Sequence, residues 1–305
     1  MKIKRREFIK NTAIGAGGLI LGAQLHAAGK NDAAGAGVKY HDPYAPVPLG
    51  KTDLKFSRVC MGTGSHGSQR SSNQTRKGAD VFKQLVRDAY DRGIRTYDMA
   101  DLYGSHQGVA AGLDGVPRDS YTLISKMWWD RGGIPEADRP DADVVVERFL
   151  KELRTDHIDL LLLHCVTAAD WPARLSKQME LLTKLKSQGK IRALGVSCHS
   201  IAALQAAAKE PWVESVHTRI NPFSMVMDGS PETVVPVLKD IHAAGKGVVG
   251  MKIIGEGRLR NDDARRDESV KFVLGLGCVH ILNVGFESVT EIDDFAARVR
   301  KVPAA

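Results

Sequence analysis

The sequence predicts a single (β/α)8 TIM barrel spanning residues 47–305, and two observations lead to that fold class. From Val47 onward, short apolar strands alternate eight times with amphipathic helical patterns, and no interruption is long enough for a second domain. The chain length of 305 residues also suits one barrel of this kind. A doubly wound open sheet is the alternative architecture.

Each element is predicted from its own pattern. The stretch DLLLLHCV is almost entirely apolar, as expected for a strand buried on both faces. The stretch before Gly93 has apolar residues at helical spacing, and glycine favours helix termination there. The predicted strands are 57–63, 95–100, 121–129, 159–166, 192–199, 215–222, 246–254 and 278–286. The predicted helices are 78–93, 106–112, 142–156, 171–190, 200–210, 232–245, 267–276 and 289–301.

The first 28 residues are typical of an export signal. A basic start containing Arg5 and Arg6 is followed by a weakly apolar run and then by small residues. The arginine pair resembles the twin-arginine signal, which predicts recognition by the twin-arginine export machinery and a periplasmic or otherwise exported protein. The alternative is a merely basic tail. Residues 29–46 are rich in Ala, Gly, Asp and Pro and predict a flexible lead-in.

Composition argues against several functional classes. The formal charge is +7, of which residues 1–28 contribute +4, so the body is close to neutral and nucleic-acid binding is not expected. No long apolar run follows the first 30 residues, so we expect no stable membrane insertion of the mature chain. The four cysteines lack metal-ligand spacing and predict buried thiols, although pairing of Cys165 with Cys198 stays open.

Four ionisable side chains fall at or just beyond the carboxyl ends of consecutive predicted strands. Asp98 and Tyr103 follow the second strand, Lys126 lies in the third, and His164 lies in the fourth. In a parallel barrel these strand ends converge, and active sites form there. A lysine inside the apolar stretch LISKMWW needs a buried partner, and Asp98 is the expected one. Each residue taken alone also has a purely structural interpretation.

These motifs together resemble the aldo-keto reductases. GIRTYDMADLYGSH is similar to the family signature, LISKMWW to its lysine strand and LLLLHCV to its histidine strand, in the same chain order. PLGKTDLKFSRVCMGTG also resembles the family's opening hairpin and first strand. The resemblance covers residues 47–301 and implies an NAD(P)-dependent oxidoreductase that acts on a small carbonyl or alcohol substrate.

The resemblance assigns a role to each of the four residues. Tyr103 would donate a proton to the carbonyl oxygen, although a phenol with a pKa of about 10 is a reluctant donor. Lys126 would lower that pKa, and Asp98 would hold Lys126 in place. His164 would donate to the substrate oxygen and orient it.

The resemblance also implies a cofactor site, with NADP as the family default. The residues implied to contact the cofactor are Gly62, Thr63, Ser197, His217, Met251, Lys252 and Gly285. After the last strand the family commonly places Lys-Ser and then Arg around the 2′-phosphate. This chain has Gly285, Phe286 and Glu291 there, so NAD, weakly bound NADP and a lost cofactor all stay open.

Substrate contacts are predicted less closely. His106, Trp128 and Trp129 are expected to line the mouth of the barrel, and paired tryptophans suit flat or sugar-like ligands. The chain ends soon after the last helix, so we expect an open mouth. The main alternative function is an exported barrel without redox turnover, in a binding or assembly role. Metal-dependent hydrolysis is a third possibility, and His164 with His199 would be a poor ligand set for it.

Overall fold

The computed structural model describes residues 38–304 and contains a closed barrel of eight parallel strands. A two-stranded antiparallel hairpin precedes the barrel and consists of β1 (Pro46–Pro48) and β2 (Lys55–Ser57). The barrel strands are β3 (Val59–Gly62), β4 (Thr96–Asp98), β5 (Thr122–Met127), β6 (Ile158–Val166), β7 (Ile191–Cys198), β8 (Ser215–Arg219), β9 (Gly247–Met251) and β10 (Ile281–Gly285). Each strand pairs with the next one in the chain, and β10 pairs with β3. The predicted barrel is confirmed, because an open sheet would leave β3 and β10 unpaired.

Ten helices surround the barrel in the described part of the chain. They are α1 (Asn73–Arg76), α2 (Ala79–Asp91), α3 (His106–Gly112), α4 (Ala142–Leu153), α5 (Trp171–Arg174), α6 (Ser176–Ser187), α7 (Ile201–Lys209), α8 (Pro231–Ala243), α9 (Asp263–Gly275) and α10 (Val289–Val299). Several begin at side-chain caps, as where the Ser288 hydroxyl accepts the Glu291 N–H at the start of α10. The helix predicted over 171–190 is divided at Leu175, whose backbone leaves the helical region (φ −109°, ψ 13°).

The hairpin closes the amino-terminal end of the barrel. Its buried Leu49 and Phe56 join an interior cluster with side chains that point inward from the barrel strands. A Cβ at Gly247, the first residue of β9, would lie 2.4 Å from the Leu49 side chain, so glycine permits this close approach. Because one end is sealed by apolar packing, polar chemistry is confined to the carboxyl ends of the strands.

The segment before the hairpin contacts the last residues of the described chain. The His41 N–H donates to the Val302 carbonyl at 3.0 Å, and Ala304 N–H donates to the Lys39 carbonyl at 2.8 Å. These contacts fall within the predicted lead-in of residues 29–46, whose flexibility stays a prediction. The predicted signal peptide lies outside the described residues. Within 38–304, no helix combines the length and the apolar character that crossing a bilayer requires.

Candidate active site

A buried charge cluster lies at the ends of β4, β5 and β8. The Lys126 ammonium donates to Asp98 Oδ1 at 2.5 Å and to the Met99 carbonyl at 2.7 Å. The other Asp98 oxygen is 3.0 Å from Nε2 of His217. All three side chains are almost inaccessible to solvent. The predicted partnership of Lys126 with Asp98 is therefore present in the structure, and His217 joins it.

The protonation states follow from this packing. Burial alone would raise the pKa of Asp98, but the Lys126 charge and the His217 hydrogen bond outweigh burial and hold the pKa well below its usual range. Burial lowers the pKa of His217, partly offset by Asp98, so its imidazole is neutral near pH 7. A neutral His217 satisfies the carboxylate by donating its Nε2–H, which leaves Nδ1 as an acceptor.

Tyr103 lies on a short 3₁₀ turn, Asp101–Tyr103, directly after β4. Its hydroxyl is 3.3 Å from His164 Nε2, and the Lys126 Nζ lies over its ring, 5.0 Å from the centroid. Gly104 ends the turn with a φ of +62°, and a Cβ there would lie 2.1 Å from the Arg70 carbonyl oxygen. The four predicted catalytic side chains therefore lie close together, with the Tyr103 hydroxyl directed at His164.

The protonation of Tyr103 differs from the expectation that Lys126 would lower its pKa. Burial raises the pKa of Tyr103 well above its ordinary value, and the Asp98 carboxylate raises it further. The ammonium faces the Tyr103 ring and donates hydrogen bonds to Asp98 and to the Met99 carbonyl. Tyr103 therefore holds its proton near neutral pH, as a proton donor must.

The loop after β3 packs against the Tyr103 ring. A Cβ at Gly64 would lie 2.2 Å from a ring carbon, and a Cβ at Gly67 would lie 2.4 Å from another. Residues 62–67 have the sequence G-T-G-S-H-G, which matches the G-x-G-x-x-G pattern of dinucleotide-binding loops in open sheets. Here two of those glycines make room for an aromatic ring, a role that sequence reasoning did not anticipate.

His164 at the end of β6 is held by two tryptophans. The Trp128 ring meets the His164 ring edge-on at 5.8 Å, and Trp129 Nε1–H donates to the His164 carbonyl at 2.6 Å. Burial and the nearby Lys126 charge hold the pKa of His164 well below its usual range, so the ring is neutral. Its buried Nδ1 has no partner within residues 38–304. Trp128 thus adjoins the site, while Trp129 supports His164 through the backbone.

A cavity of about 380 Å³ opens beside Tyr103 and Asp98 and extends across the ends of β3, β9 and β10. Asn283 lines it, and the buried Oδ1 of Asn283 has no hydrogen-bond partner within residues 38–304. A Cβ at Gly62 would lie 2.8 Å from that oxygen, and a Cβ at Gly285 would lie 2.3 Å from Ser65 Oγ. An extended concave surface with a spare acceptor and glycine walls fits a dinucleotide such as NAD(P).

The predicted cofactor residues divide into two groups. Gly62, Met251, Lys252 and Gly285 line the cavity. Thr63, Ser197 and His217 are fully buried and do not appear in its lining. In the structure Thr63 donates to the Asp98 carbonyl at 2.8 Å, Ser197 accepts the Cys165 N–H at 2.8 Å, and His217 bonds Asp98. These three side chains therefore support the site from beneath.

His106 is not at the mouth of the barrel, contrary to the sequence prediction. It lies on α3 behind the barrel wall, where Nε2 is 2.8 Å from Ser125 Oγ and Nδ1 is 2.7 Å from Glu152 Oε2. Ser125 neighbours Lys126 on β5, and alternate residues of a strand face opposite sides. Since Lys126 points into the barrel, Ser125 points outward. The His106 side chain, which bonds Ser125, therefore lies in the layer between the strands and the helices.

Sequence reasoning missed the distal half of the cavity. The residues involved lie on α1, on β10 and on the loops after β9 and β10, and they are Asn73, Arg258, Arg260, Asn283 and Glu287. The basic pair Arg258 and Arg260 in the sequence GEGRLR was an available signal, because it sits in a long connection after a barrel strand.

The cysteines near the site are free thiols in the structure. Cys165 and Cys198, whose pairing the sequence left open, do not form a disulfide, and Cys165 Sγ lies 3.4 Å from His199 Nε2. Burial raises the pKa of Cys165 to about 11 and lowers that of His199 to about 3. Both groups are therefore neutral near pH 7, and Cys165 is not an activated thiolate.

Comparison with known proteins identifies the family. The Aldo/keto reductase family profile matches residues 58–284. The aldo-keto reductase YhdN of Bacillus subtilis is 29% identical over 238 residues, covering 72% of this chain and 68% of its own length. The glyoxal reductase of the same organism is 28% identical over 183 residues, covering 56% of this chain and 59% of its own.

Solved structures show the same fold. An aldo-keto reductase from Bacillus halodurans, in its holo form, superposes with a TM-score of 0.68 at 21% identity, covering 88% of this chain and 93% of its own. A putative aldo-keto reductase from Pseudomonas aeruginosa gives the same TM-score at 22% identity, covering 87% and 98%. Because the family profile spans nearly the whole barrel, the chain belongs to the aldo/keto reductase family.

Proposed function

We propose that this chain is an NAD(P)H-dependent oxidoreductase that interconverts a carbonyl and an alcohol, with Tyr103 as general acid and base. Membership of a family of oxidoreductases supports the reaction class. The observation that carries the proposal is the position of Tyr103. Its hydroxyl pairs with His164, its ring lies beneath the Lys126 charge, and it lines the cavity of about 380 Å³ that fits a dinucleotide.

Each side chain of the site has a separate role in carbonyl reduction. When bound, NAD(P)H would supply a hydride to the carbonyl carbon, and the carbonyl oxygen would then need hydrogen-bond donors and a proton. His164 and the Tyr103 hydroxyl are placed to hydrogen-bond that oxygen, and Tyr103 transfers its proton to it. The Lys126 ammonium, 5.0 Å from the Tyr103 ring centre, stabilises the phenolate that remains. Asp98 positions Lys126, and His217 positions Asp98.

The substrate class we propose is small aldehydes, ketones or sugars. The name of one relative, the glyoxal reductase, points to a small carbonyl substrate for that protein. In this chain the Trp128 ring stands 5.8 Å from the His164 ring and offers a flat apolar surface beside the reacting group.

Replacement of Tyr103 by Phe tests the assignment. We expect Tyr103→Phe to abolish reduction of a panel of small carbonyls while the cofactor Kd stays within about threefold, since only the proton donor is lost. Tyr121→Phe is the matched control, because Tyr121 lies half-buried outside the barrel beside Arg118. Retained turnover in Tyr103→Phe would remove Tyr103 from the mechanism. Failure of both NADH and NADPH to bind the wild-type protein would favour the barrel without redox turnover.

We further propose that residues 1–28 direct export by the twin-arginine route; they lie outside the described residues, so their sequence alone supports this. Replacement of Arg5 and Arg6 by lysine keeps the charge and removes the arginine pair. We expect this double variant to stay in the cytoplasm when cell fractions are compared by immunoblot. Unchanged localisation of the double variant would contradict the twin-arginine route.

A further inference from the structure

We infer that the cavity selects NAD(H) over NADP(H), and that Glu287 makes the selection by accepting hydrogen bonds from the adenosine ribose. The inference rests on the proposed function, because it assumes that a nicotinamide dinucleotide occupies the cavity. It concerns the end of the cavity remote from Tyr103, where Asn73, Arg260 and Glu287 meet.

The two ends of the cavity fix the direction of the dinucleotide. Hydride transfer requires the nicotinamide ring beside the carbonyl that Tyr103 protonates, at the inner end of the cavity. The rest of the dinucleotide must then extend past Gly285 toward the loops after β9 and β10. The adenosine half therefore reaches the end lined by Arg260 and Glu287.

Glu287 is held with one carboxylate oxygen available. Its Oε1 accepts from Asn73 Nδ2 at 2.8 Å and from Arg260 Nη2 at 3.0 Å. Its backbone N–H donates to Glu291 Oε2 at 2.7 Å, which fixes the residue at the start of α10. Within residues 38–304, no group donates a hydrogen bond to Oε2. An ionised carboxylate is an acceptor, so this oxygen can accept hydrogen bonds from the hydroxyls of an unmodified ribose, as acidic residues do in NAD sites.

The Glu287 carboxyl is ionised near neutral pH. Partial burial would raise its pKa, but the hydrogen bonds from Asn73 and Arg260 outweigh burial and hold the pKa below its ordinary value. The acceptor and its negative charge are therefore both present under the conditions in which a cofactor binds.

Arg260, one of the two arginines that line the cavity, is already engaged. Its guanidinium contacts Glu287 at 3.0 Å and Glu291 at 3.2 Å, so two carboxylates share one cation. The three side chains together carry a charge of −1. A 2′-phosphate would add nearly two further negative charges to this region. To form a bidentate contact with the Arg260 guanidinium, it would have to displace one of the two carboxylates. An unmodified ribose adds no negative charge and does not need to displace a carboxylate from Arg260.

Calorimetric titration with NADH and NADPH tests the inference without any turnover, because the two ligands differ only by the 2′-phosphate. We expect the wild-type protein to bind NADH at least tenfold more tightly, a difference of about 1.4 kcal/mol. Glu287→Gln should bring the ratio of the two Kd values close to one, mainly through tighter NADPH binding. Glu287→Lys should invert the ratio.

Asp293→Asn is the matched control. It removes a carboxylate from α10, the helix that follows Glu287, but one that is exposed and paired with Arg92 at 2.8 Å. We expect its Kd ratio to equal that of the wild type, and thermal denaturation of every variant verifies folding.

The outcomes separate the two proposals. Binding of NADPH as tight as that of NADH in the wild type overturns the selection and leaves the proposed function standing. A preference for NADH that persists unchanged in Glu287→Gln also overturns it, since Glu287 then does not select. Binding of neither dinucleotide refutes the proposed function itself.

Discussion

Replacement of Lys126 by Met would break an ion pair that is nearly inaccessible to solvent. Methionine has a similar length but no charge, so the Asp98 carboxylate would be left with His217 as its remaining side-chain partner. Removing one partner of a buried pair destabilises proteins by about 3–5 kcal/mol. The His217 hydrogen bond persists, so we expect a loss near the lower limit, about 3 kcal/mol, out of a typical total of about 5–15 kcal/mol.

The loss should depend on pH. Without Lys126, burial raises the pKa of Asp98 above its value in the unfolded chain. Between those two values the folded variant binds more protons than the unfolded chain, so its stability falls as the pH rises. The difference from wild type should therefore be larger at about pH 8 than at about pH 5.

Urea denaturation, followed by far-ultraviolet circular dichroism at both pH values, measures these differences. The double variant Lys126→Met with Asp98→Asn removes both charges and should regain most of the lost stability, because no unpaired ion stays buried. Both variants should lack carbonyl reduction. A loss below about 1 kcal/mol in the single variant at about pH 8 would refute the view that Asp98 depends on Lys126 for its charge.

Three further predictions follow from the geometry. Because burial raises the pKa of Tyr103, carbonyl reduction at saturating cofactor should keep its rate from about pH 6 to about pH 9, and a decline beginning near neutral pH would contradict this. Gly64→Ala should lower kcat at least tenfold, since its Cβ would lie 2.2 Å from the Tyr103 ring, whereas Gly275→Ala, with no atom within 4 Å, should leave kcat unchanged. Burial lowers the pKa of His199 to about 3 and that of His280 to about 4, so the unfolded chain takes up protons first as the pH falls. The free energy of unfolding should therefore drop by roughly 4 kcal/mol in total between about pH 7 and pH 4.5, about half from each histidine, and an unchanged urea midpoint would oppose this assignment.

The fold class could be predicted almost entirely from local sequence patterns. Strands such as Ile158–Val166 are almost continuously apolar, and each is followed by a helix with one apolar face. Eight repeats of that unit leave few ways to bury every face, and the closed barrel is one of them. The same logic brought Asp98 and Lys126 together, because both lie at carboxyl ends of neighbouring strands.

Errors arose where the direction of a side chain decided its role. His106 follows the signature turn closely in sequence, yet it faces the helix layer, where Ser125 and Glu152 bind it. The hydrogen bond of His217 to Asp98 was not predicted, and the assignment of His217 to the cofactor stays a prediction. The pKa of Tyr103 depends on how far burial outweighs a neighbouring charge, and sequence spacing cannot supply that balance.

The sequence alone determined the order of elements, the barrel and the identity of four converging polar residues, because helical and strand periodicity are local properties of the chain. Only the tertiary structure decided what surrounds the far end of the cavity. Asn73 and Glu287 are 214 residues apart and form a 2.8 Å hydrogen bond, and Arg260 reaches the same carboxylate from a third loop. Such contacts depend on how the closed barrel brings together loops of independent length and conformation, and no local pattern encodes that arrangement.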